Sequence, residues 1–200
     1  MATIVYKLGG SLLTLPDLAT RLQRVLSARS DARALFVAGG GSAADIVRGW
    51  DRIHQLGEER SHWLGLEAMS FNEALLLELV PESCPVESRQ AALEAWEADR
   101  IPILRAAEFL HRHEQQHGSS LPHNWNVTSD SIAAWLVGHL EADALVLLKS
   151  VNAPVDAGTS KLRPESDDVD PFFRRLAAEL PELGWINLRS ENQRLVRIDV

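Results

Sequence analysis

The sequence has little cysteine and no long apolar segment, and each shortage excludes a class of protein. Its single cysteine, Cys84, cannot form a disulfide framework or a cysteine-based zinc cluster. Chains that do without disulfides are typical of the cytoplasm, which is the location we expect. No uncharged stretch approaches the ~18–20 apolar residues that cross a bilayer, and the short N-terminal apolar stretch ends in glycines, unlike a signal peptide. We therefore expect no membrane partner.

Positive charge is also scarce. Lys and Arg together number 20 against 28 Asp and Glu, which leaves the 200-residue chain with a formal charge of −8. Because phosphate backbones are bound by Lys and Arg, this balance disfavours a nucleic-acid partner. The hydrophobic fraction of 46% is that of an ordinary globular protein. At this length we expect one domain that spans residues 1–200.

Lysine is the rarer of the two basic residues. Only Lys7, Lys149 and Lys161 occur, whereas the other 17 of the 20 basic residues are arginines. Arginine therefore supplies the solvated positive charge in this composition. A lysine that persists is a candidate for a compact point charge with three donors, and three ordinary surface lysines are the alternative interpretation.

Short apolar runs alternate with amphipathic stretches along the chain. The runs predict strands at 4–8, 34–38, 101–104, 144–148, 185–188 and 196–200. The amphipathic stretches predict helices at 18–26, 43–53, 58–79, 132–140 and 172–180. The polar segments 111–126 and 153–171 are expected to be loops. This alternation is typical of an α/β three-layer sandwich with a mostly parallel central sheet.

Three of the predicted strands end in residues that suit phosphate binding. The endings are Lys7-Leu8-Gly9-Gly10-Ser11, Gly39-Gly40-Gly41-Ser42 and Lys149-Ser150. Because ligands bind at the carboxyl ends of parallel strands, we expect the three endings to converge on one edge of the sheet.

Glycine makes the first two endings candidates for anion binding. It exposes backbone N–H groups to an oxyanion, and the second ending also opens a helix, whose N-terminus favours anions. A tight turn needs only one or two glycines, so the third glycine at 39–41 suggests that a ligand group lies against the backbone. The alternative interpretation is that both glycine endings are ordinary turns that tolerate glycine, and that Lys7 is a surface lysine beside the first of them.

A further motif, Thr128-Ser129-Asp130-Ser131, precedes the helix predicted at 132–140. Any of these residues can cap a helix N-terminus, which is the simpler interpretation. The functional interpretation gives Asp130 a second task, which is to hold the lysine ammonium groups in position and to compensate their charge.

Other nucleotide motifs are not supported. The pattern G-x-x-x-x-G-K-[ST] is missing, which excludes a P-loop protein. Gly39-x-Gly41-x-x-Ala44 fits the loose dinucleotide fingerprint. However, the acidic residue expected about 20 positions later, Glu58 or Glu59, starts a helical pattern instead of ending a strand.

A histidine-based metal site is not supported either. His111, His113, His117 and His123 lie in the segment expected to be a loop. No carboxylate cluster with standard ligand spacing accompanies them, so we predict a solvated loop and no metal site.

The motifs taken together resemble one family in order and spacing. KLGGSLL (7–13), VAGGGSAADIVR (37–48), NVTSDSIAAWL (126–136) and ADALVLLKSV (142–151) are similar to segments of the amino acid kinase superfamily. Residues 61–79 and 125–135 look like the small branch that phosphorylates [5-(aminomethyl)furan-3-yl]methyl phosphate with ATP for methanofuran-type cofactors of one-carbon metabolism. The resemblance covers roughly residues 3–152 and implies an amino acid kinase-like fold.

The resemblance implies a role for each motif residue, with ATP and Mg²⁺ as cofactors and a small phosphate compound as partner. The implied catalytic residues are Lys7, Asp130 and Lys149. The implied phosphate-binding residues are Gly9, Gly10, Ser11, Gly39, Gly40 and Gly41. Asp45, Arg48 and Ser129 would bind the acceptor, and Ser150, Val151 and Lys161 would bind the nucleotide.

The sequence departs from the family on the nucleotide side. Ser150-Val151-Asn152-Ala153 stands where the family commonly has an Asp-Val-Asp-Gly-like stretch, and the later glycine-rich segment with a second lysine is not recognisable. Lys149 or Lys161 is expected to replace that lysine. Two alternatives stay open: a kinase for another acceptor, such as a nucleoside monophosphate, and a kinase-fold subunit that only binds ligand or assembles.

Assembly is a further expectation from the resemblance. Members of the superfamily commonly form dimers, trimers or hexamers, so a homo-oligomer is expected. Trp50, Trp63 and Trp96 lie on stretches that suit either an interface or the core, and the core is the expected place.

Overall fold

A computed structural model describes residues 1–118, 121–156, 159–163 and 166–199. Seven strands form one sheet: β1 (Ala2–Leu8), β2 (Ala32–Ala38), β3 (Ser83–Val86), β4 (Ile101–Leu104), β5 (Ala144–Lys149), β6 (Leu183–Asn187) and β7 (Leu195–Arg197). Their order is β3–β4–β2–β1–β5–β6–β7, and every neighbouring pair is parallel except β6 and β7. The mostly parallel sheet that the apolar runs predict is confirmed.

Helices cover both faces of this sheet. They are α1 (Leu18–Ala28), α2 (Gly41–His54), α3 (Glu58–Leu79), α4 (Arg89–Glu97), α5 (Ala106–His117), α6 (Ser129–His139) and α7 (Phe173–Ala177), and a short 3-10 helix spans Gly10–Thr14. Successive residues of β1 enter opposite apolar cores: Val5 packs in the core with α4, α5 and α6, and Tyr6 packs in the core with α1. The predicted three-layer α/β sandwich is therefore confirmed.

None of the helices within the described ranges is both long enough and apolar enough to span a bilayer.

The expected loop at 111–126 is wrong over its first half, because α5 continues to His117. The first turns of the helix carry the buried apolar residues Ala106, Ala107 and Leu110. Its last two turns are polar, and because they were considered alone they resembled a loop. His113 and His117 do share one helix face, with ring centroids 4.6 Å apart. No group of three or more metal-ligating side chains occurs among the described residues.

The large apolar residues of α2, which are Ile46, Trp50 and Ile53, do not face the core. The helix buries its small residues Ala44 and Val47 against Ala68 of α3, since small side chains let two helices approach closely. Trp50 consequently points away from the core and is 50% exposed, so its expected burial is wrong. Trp63 and Trp96 are half-buried and pack against the larger core.

Candidate active site

The register of the three central strands brings the predicted motifs together. Leu8 at the end of β1 is paired with Ala38 of β2 on one side and with Leu148 of β5 on the other. The loops that follow these strands therefore leave the sheet at the same edge. Convergence of the three strand endings, expected from the sequence pattern, is confirmed by this register.

The two glycine loops pack directly against each other. A β-carbon on Gly10 would lie 2.2 Å from the Gly41 nitrogen, and Gly41 itself has a φ of +49°. Both positions therefore need glycine because of the contact between loops and the left-handed backbone. The sequence suggested that a ligand group lies against the third glycine. The contact between the two loops explains this glycine without a ligand.

Two of the predicted glycine donors are engaged in the sheet. The N–H of Gly9 donates to the carbonyl of Leu148 at 2.8 Å, and the N–H of Gly39 donates to the carbonyl of Leu8 at 2.8 Å. These bonds extend the strand ladder by one residue. The backbone donors expected for phosphate reduce to Gly10, Gly40 and Gly41, all of which line one cavity.

Asn72 of α3 fixes the start of α2, a contact that the sequence pattern did not reveal. Its buried amide donates to the carbonyls of Gly39 at 2.7 Å and Gly40 at 2.8 Å. The first N–H groups of a helix have no intrahelical acceptor and carry the positive end of the helix dipole. With the carbonyls held by Asn72, this end of α2 at Gly41 borders the cavity.

Asp130 joins two of the three lysines. Its Oδ1 lies 2.8 Å from Lys7 Nζ, and its Oδ2 accepts a hydrogen bond from Lys149 Nζ at 2.7 Å. Lys149 also donates to the carbonyl of Asp168 at 2.6 Å. Lys7 and Asp130 are each 4% exposed. Asp130 thus contacts both lysines, as its predicted task requires.

Lys7 has unused hydrogen-bonding capacity. An ammonium carries three donors, and the ion pair with Asp130 is the one polar contact of Lys7 Nζ within the described part of the chain. Buried polar groups normally have partners for their donors. A buried ammonium that borders a cavity is therefore suited to bind an anion there.

Burial and charge move the pKa values of this pair. Burial lowers the pKa of the Lys7 ammonium, and the Asp130 carboxylate offsets part of that effect. Burial alone would raise the pKa of Asp130, but the ammonium groups of Lys7 and Lys149 outweigh it and hold the pKa below its ordinary value. Asp130 is therefore ionised at neutral pH.

Asp170, which the sequence analysis missed, caps α6. It accepts hydrogen bonds from the N–H of Thr128 and Ser131, at 3.0 Å each, and from both hydroxyls. Thr128 is the N-cap residue but makes no side-chain cap of its own. This arrangement leaves Asp130, in the first turn, free to bind lysine. Asp170 lies 40 positions away from Asp130, so no local signal marks it.

The first cavity has a volume of about 170 Å³ and lies over the ends of β1 and β2. Its cationic and backbone groups come from Lys7, Arg48 and the glycine loops, and its apolar wall comes from α3 and α6. The lining side chains are Lys7, Ala44, Arg48, His62, Leu66, Met69, Asn124, Trp125, Val127, Thr128, Ser129 and Ile132. An anionic group with an apolar remainder matches this surface.

His62 is a cavity residue that the sequence analysis did not select. It is 5% exposed, and its Nε2 has no hydrogen-bond partner among the described residues. Burial, together with the neighbouring His123, lowers its pKa to about 4. His62 is therefore a neutral imidazole at pH 7 that can donate or accept one hydrogen bond in the cavity.

A second cavity, of about 680 Å³, is lined in part by Asp130. Its lining includes Lys149, Asp168 and Arg174, and it shares Trp125 and Thr128 with the first cavity. The Lys7–Asp130–Lys149 cluster thus contributes to both cavities, with Lys7 in the first and with Asp130 and Lys149 in the second.

The remaining predicted residues divide into two groups. Ser11 donates to Ser150 at 3.1 Å, which links the β1 and β5 loops. Arg48 lines the first cavity and is held by Asp45 at 2.8 Å. Val151 and Lys161, in contrast, are exposed and line neither cavity, so their nucleotide-binding role stays a prediction.

Comparison with solved structures gives the same fold. Uridylate kinase from Archaeoglobus fulgidus is 18% identical with a TM-score of 0.64, over 91% of this chain and 89% of that one. UMP kinase from Ureaplasma parvum is 14% identical with a TM-score of 0.69, over 100% of both chains. UMP kinase from Bacillus anthracis is 14% identical with a TM-score of 0.67, over 94% of this chain and 88% of that one.

Sequence comparison identifies the family. No protein of curated function matches the chain. The profile described as "Amino acid kinase family" matches residues 2–161, which include both glycine loops, Asp130 and Lys149. The chain therefore belongs to the amino acid kinase family.

Proposed function

We propose that this protein is an ATP-dependent kinase that transfers a phosphoryl group to a small phosphomonoester. The observation that carries the proposal is the buried Lys7 ammonium. It is paired with Asp130, borders the first cavity, and has hydrogen-bond donors that no group in the described part of the chain uses. The anion expected at this place is the phosphoryl group in transfer. Membership of the amino acid kinase family supports a phosphotransferase.

The cluster suits a reaction that needs charge neutralisation more than covalent help. Phosphoryl transfer spreads negative charge over the equatorial oxygens, and fixed cations stabilise that charge. Lys7 approaches it from the first cavity and Lys149 from the second. Asp130 keeps both ammonium groups fixed and prevents their mutual repulsion from moving them apart.

A phosphate acceptor also fits the groups that line the first cavity. A phosphomonoester has a second pKa near ~6 and is largely a dianion at pH 7, so it needs no general base. Arg48 supplies a guanidinium for its non-reacting oxygens, and Gly41 offers the helix N-terminus. His62 has too low a pKa to add a cation, and it is left to contact the organic part of the acceptor.

The acceptor that we propose is [5-(aminomethyl)furan-3-yl]methyl phosphate, and its diphosphate would be the product, made for a methanofuran-type cofactor. The motif resemblance supports this choice, and the apolar wall of Leu66, Met69 and Ile132 suits a small planar ring. A nucleoside monophosphate is the second candidate acceptor, because the similar folds belong to UMP kinases.

The nucleotide is proposed to lie in the second cavity, with its phosphates directed toward Lys149. The described residues contain no group of three or more ligating side chains that could hold a metal ion by themselves. Mg²⁺ typically binds through one or two carboxylates together with substrate phosphates. Asp168, which lines this cavity, would be such a carboxylate. Bound Mg²⁺ would neutralise part of the phosphate charge.

A non-catalytic subunit is the competing function, favoured by the altered residues 150–153 after β5. Release of ADP from MgATP separates the two, measured with the furan phosphate, UMP and other phosphomonoesters, and with buffer alone. We expect release that depends on one phosphomonoester. If no acceptor raises ADP release above the buffer rate while the nucleotide still binds, the kinase proposal is wrong and the binding subunit is favoured.

A further inference from the structure

A loop of the chain forms part of the first cavity. Residues 121–127 lie between α5 and α6, are all described, and form neither helix nor strand. Asn124, Trp125 and Val127 of this segment, which we call the cavity loop, line the cavity. Two of its backbone hydrogen bonds, from Asn124 to Pro122 and from Val127 to Asn124, stay inside the loop. Contact of the loop with α2, α3 and α5 is therefore left to side chains.

His123 joins the cavity loop to two helices. Its Nδ1 lies 2.7 Å from Oε2 of Glu59 in the first turn of α3, and its Nε2 lies 2.8 Å from Oε1 of Glu114 in α5. The His123 side chain is 11% exposed, and its ring stacks on the ring of His62 with centroids 4.5 Å apart. One imidazole therefore bonds to both helices at once.

The two carboxylate contacts require a positive charge on His123. An ionised carboxylate only accepts hydrogen bonds, and a neutral imidazole has a single N–H. The neutral ring would thus set a lone pair against one of the carboxylates, whereas the imidazolium donates to both. Burial alone would lower the pKa of His123, but the carboxylates of Glu114 and Glu59 outweigh it and raise the pKa above its ordinary value. His62, which stacks on the ring, is uncharged at pH 7.

Trp125, two residues after His123, connects the loop to a charged side chain of the cavity. Its indole N–H donates to Asp51 of α2 at 2.9 Å, and the Arg48 guanidinium lies 4.6 Å from the centre of its ring. A cation over an aromatic face is attracted to it. The ring also packs close to Gly65 of α3, where a β-carbon would lie 3.5 Å from it. The position of the cavity loop therefore sets the place of Trp125 and, through it, that of Arg48.

We propose that protonated His123 is a positioning residue of the acceptor site: its bonds to Glu59 and Glu114 hold the cavity loop in place, and with it Trp125 against Arg48. This role rests on the proposed function in one respect, because the acceptor phosphate is the group that Arg48 is proposed to bind. Loss of the proton removes one of the two bonds, and the loop is then held less firmly. A phosphomonoester should therefore bind more weakly once the pH rises above the pKa of His123.

Hydrogen exchange of the tryptophan indoles tests the positioning without kinase activity. His123→Gln removes the ring and its charge. We expect the Trp125 indole N–H, assigned by its absence from Trp125→Phe, to exchange at least about tenfold faster in this variant than in wild type at pH 7. The Trp185 indole, which donates to the carbonyl of Val151, is the internal control and should keep its rate. An unchanged Trp125 rate, or an equal acceleration of both indoles, would overturn the proposal.

Acceptor kinetics test the consequence for the site. With the phosphomonoester that supports ADP release, His123→Gln should raise KM at pH 7 by about tenfold and leave kcat within about threefold, which is the pattern of a lost binding contact. His54→Gln, which removes an exposed histidine at the end of α2, should keep both wild-type values. A wild-type KM in His123→Gln, or a loss confined to kcat, would contradict the positioning role.

The pH profile separates the charge of His123 from its shape. The wild-type KM should rise between pH 7 and pH 9, where the acceptor phosphate is already a dianion, with a midpoint above the ordinary histidine pKa of 6.5. Glu114→Gln removes one of the carboxylates that stabilise the imidazolium, so the midpoint should move to lower pH by about one unit. A midpoint that Glu114→Gln leaves unchanged would reject the role of His123. If no phosphomonoester gives ADP release, the proposed function fails, and the indole exchange rates still decide whether His123 positions the loop.

Discussion

Lys7 Nζ and Asp130 Oδ1 lie 2.8 Å apart, and both side chains are almost completely buried. The second oxygen of Asp130 accepts a hydrogen bond from Lys149 at 2.7 Å. One carboxylate thus serves two ammonium groups, which leaves the cluster with one net positive charge next to a cavity. Desolvated charge of this kind is costly for stability and is useful where an anion must be bound.

Removal of Lys7 tests its role in transfer. Lys7→Met keeps the length of the side chain and deletes the charge, and Lys149 still pairs with Asp130. We expect ADP release to fall by about 10²–10³-fold, the loss typical of one transition-state donor. The thermal midpoint measured in parallel reports the fold. A Lys7→Met protein that turns over at the wild-type rate would reject the catalytic assignment of Lys7.

The second catalytic lysine can be identified by comparing two variants. Lys149 contacts Asp130, whereas Lys161 is exposed and lines neither cavity. We expect Lys149→Met to lose at least about tenfold more activity than Lys161→Met, because an exposed charge is screened by solvent and salt. The opposite ranking of the two rates would assign the role to Lys161.

The contact between the glycine loops predicts a strong effect of one methyl group. In Gly10→Ala the new carbon would lie 2.2 Å from the Gly41 nitrogen, so the loops must separate. We expect a loss of about 2–4 kcal/mol in the free energy of unfolding. Gly49→Ala is the matched control, since Gly49 sits inside α2 and its new methyl group would enter open space, with no atom of another element within 4 Å.

The control variant should gain up to about 1 kcal/mol from the higher helix propensity of alanine. Denaturant titration of both variants measures the two effects. Equal free energies of unfolding for Gly10→Ala and wild type would show that the loops do not pack as described.

Glu73 predicts a pH dependence of stability. It is fully buried in α3; burial raises its pKa to about 7, against the opposing effects of the Ala106 N–H and Arg105. Between the unfolded pKa of about 4.5 and the folded value, the folded state holds the proton more tightly. This contribution to stability is therefore present at low pH and lost as the pH rises through about 7.

Glu73→Gln removes this titration while it keeps the acceptor for Ala106. Relative to wild type, the variant should gain about 2–3 kcal/mol in the free energy of unfolding between pH 4.5 and pH 8, from 1.36 kcal/mol per pKa unit. Denaturant titrations at several pH values give this difference. A difference that stays constant across this range would show that folding does not raise the pKa of Glu73.

Patterns within a short segment predicted much of the fold. The apolar runs of β1, β2 and β5 are continuous because these strands are buried on both faces, and their glycine endings mark the edge where the site forms. The strand β3 was missed, since it has four residues, contains Pro85 and lies at the edge of the sheet. The helix α4, which follows it, was also missed.

Contacts between distant segments could not be predicted. Asn72 holds the Gly39 carbonyl across 33 positions, and Asp170 caps α6 across about 40 positions. Both depend on how the helices pack, which no local pattern encodes. The pairing of Lys7 with Asp130 was predictable because both residues belong to motifs, while the burial of His62 in the cavity was not.

The most direct test of the proposed phosphate site is calorimetric titration with a non-hydrolysable ATP analogue and Mg²⁺. We expect wild-type protein to bind with a dissociation constant below about 1 mM, the range usual for enzyme substrates, and Lys149→Met to bind at least about tenfold more weakly. If wild type gives no binding heat at millimolar analogue, the cluster of Lys7, Asp130 and Lys149 is not a polyphosphate site.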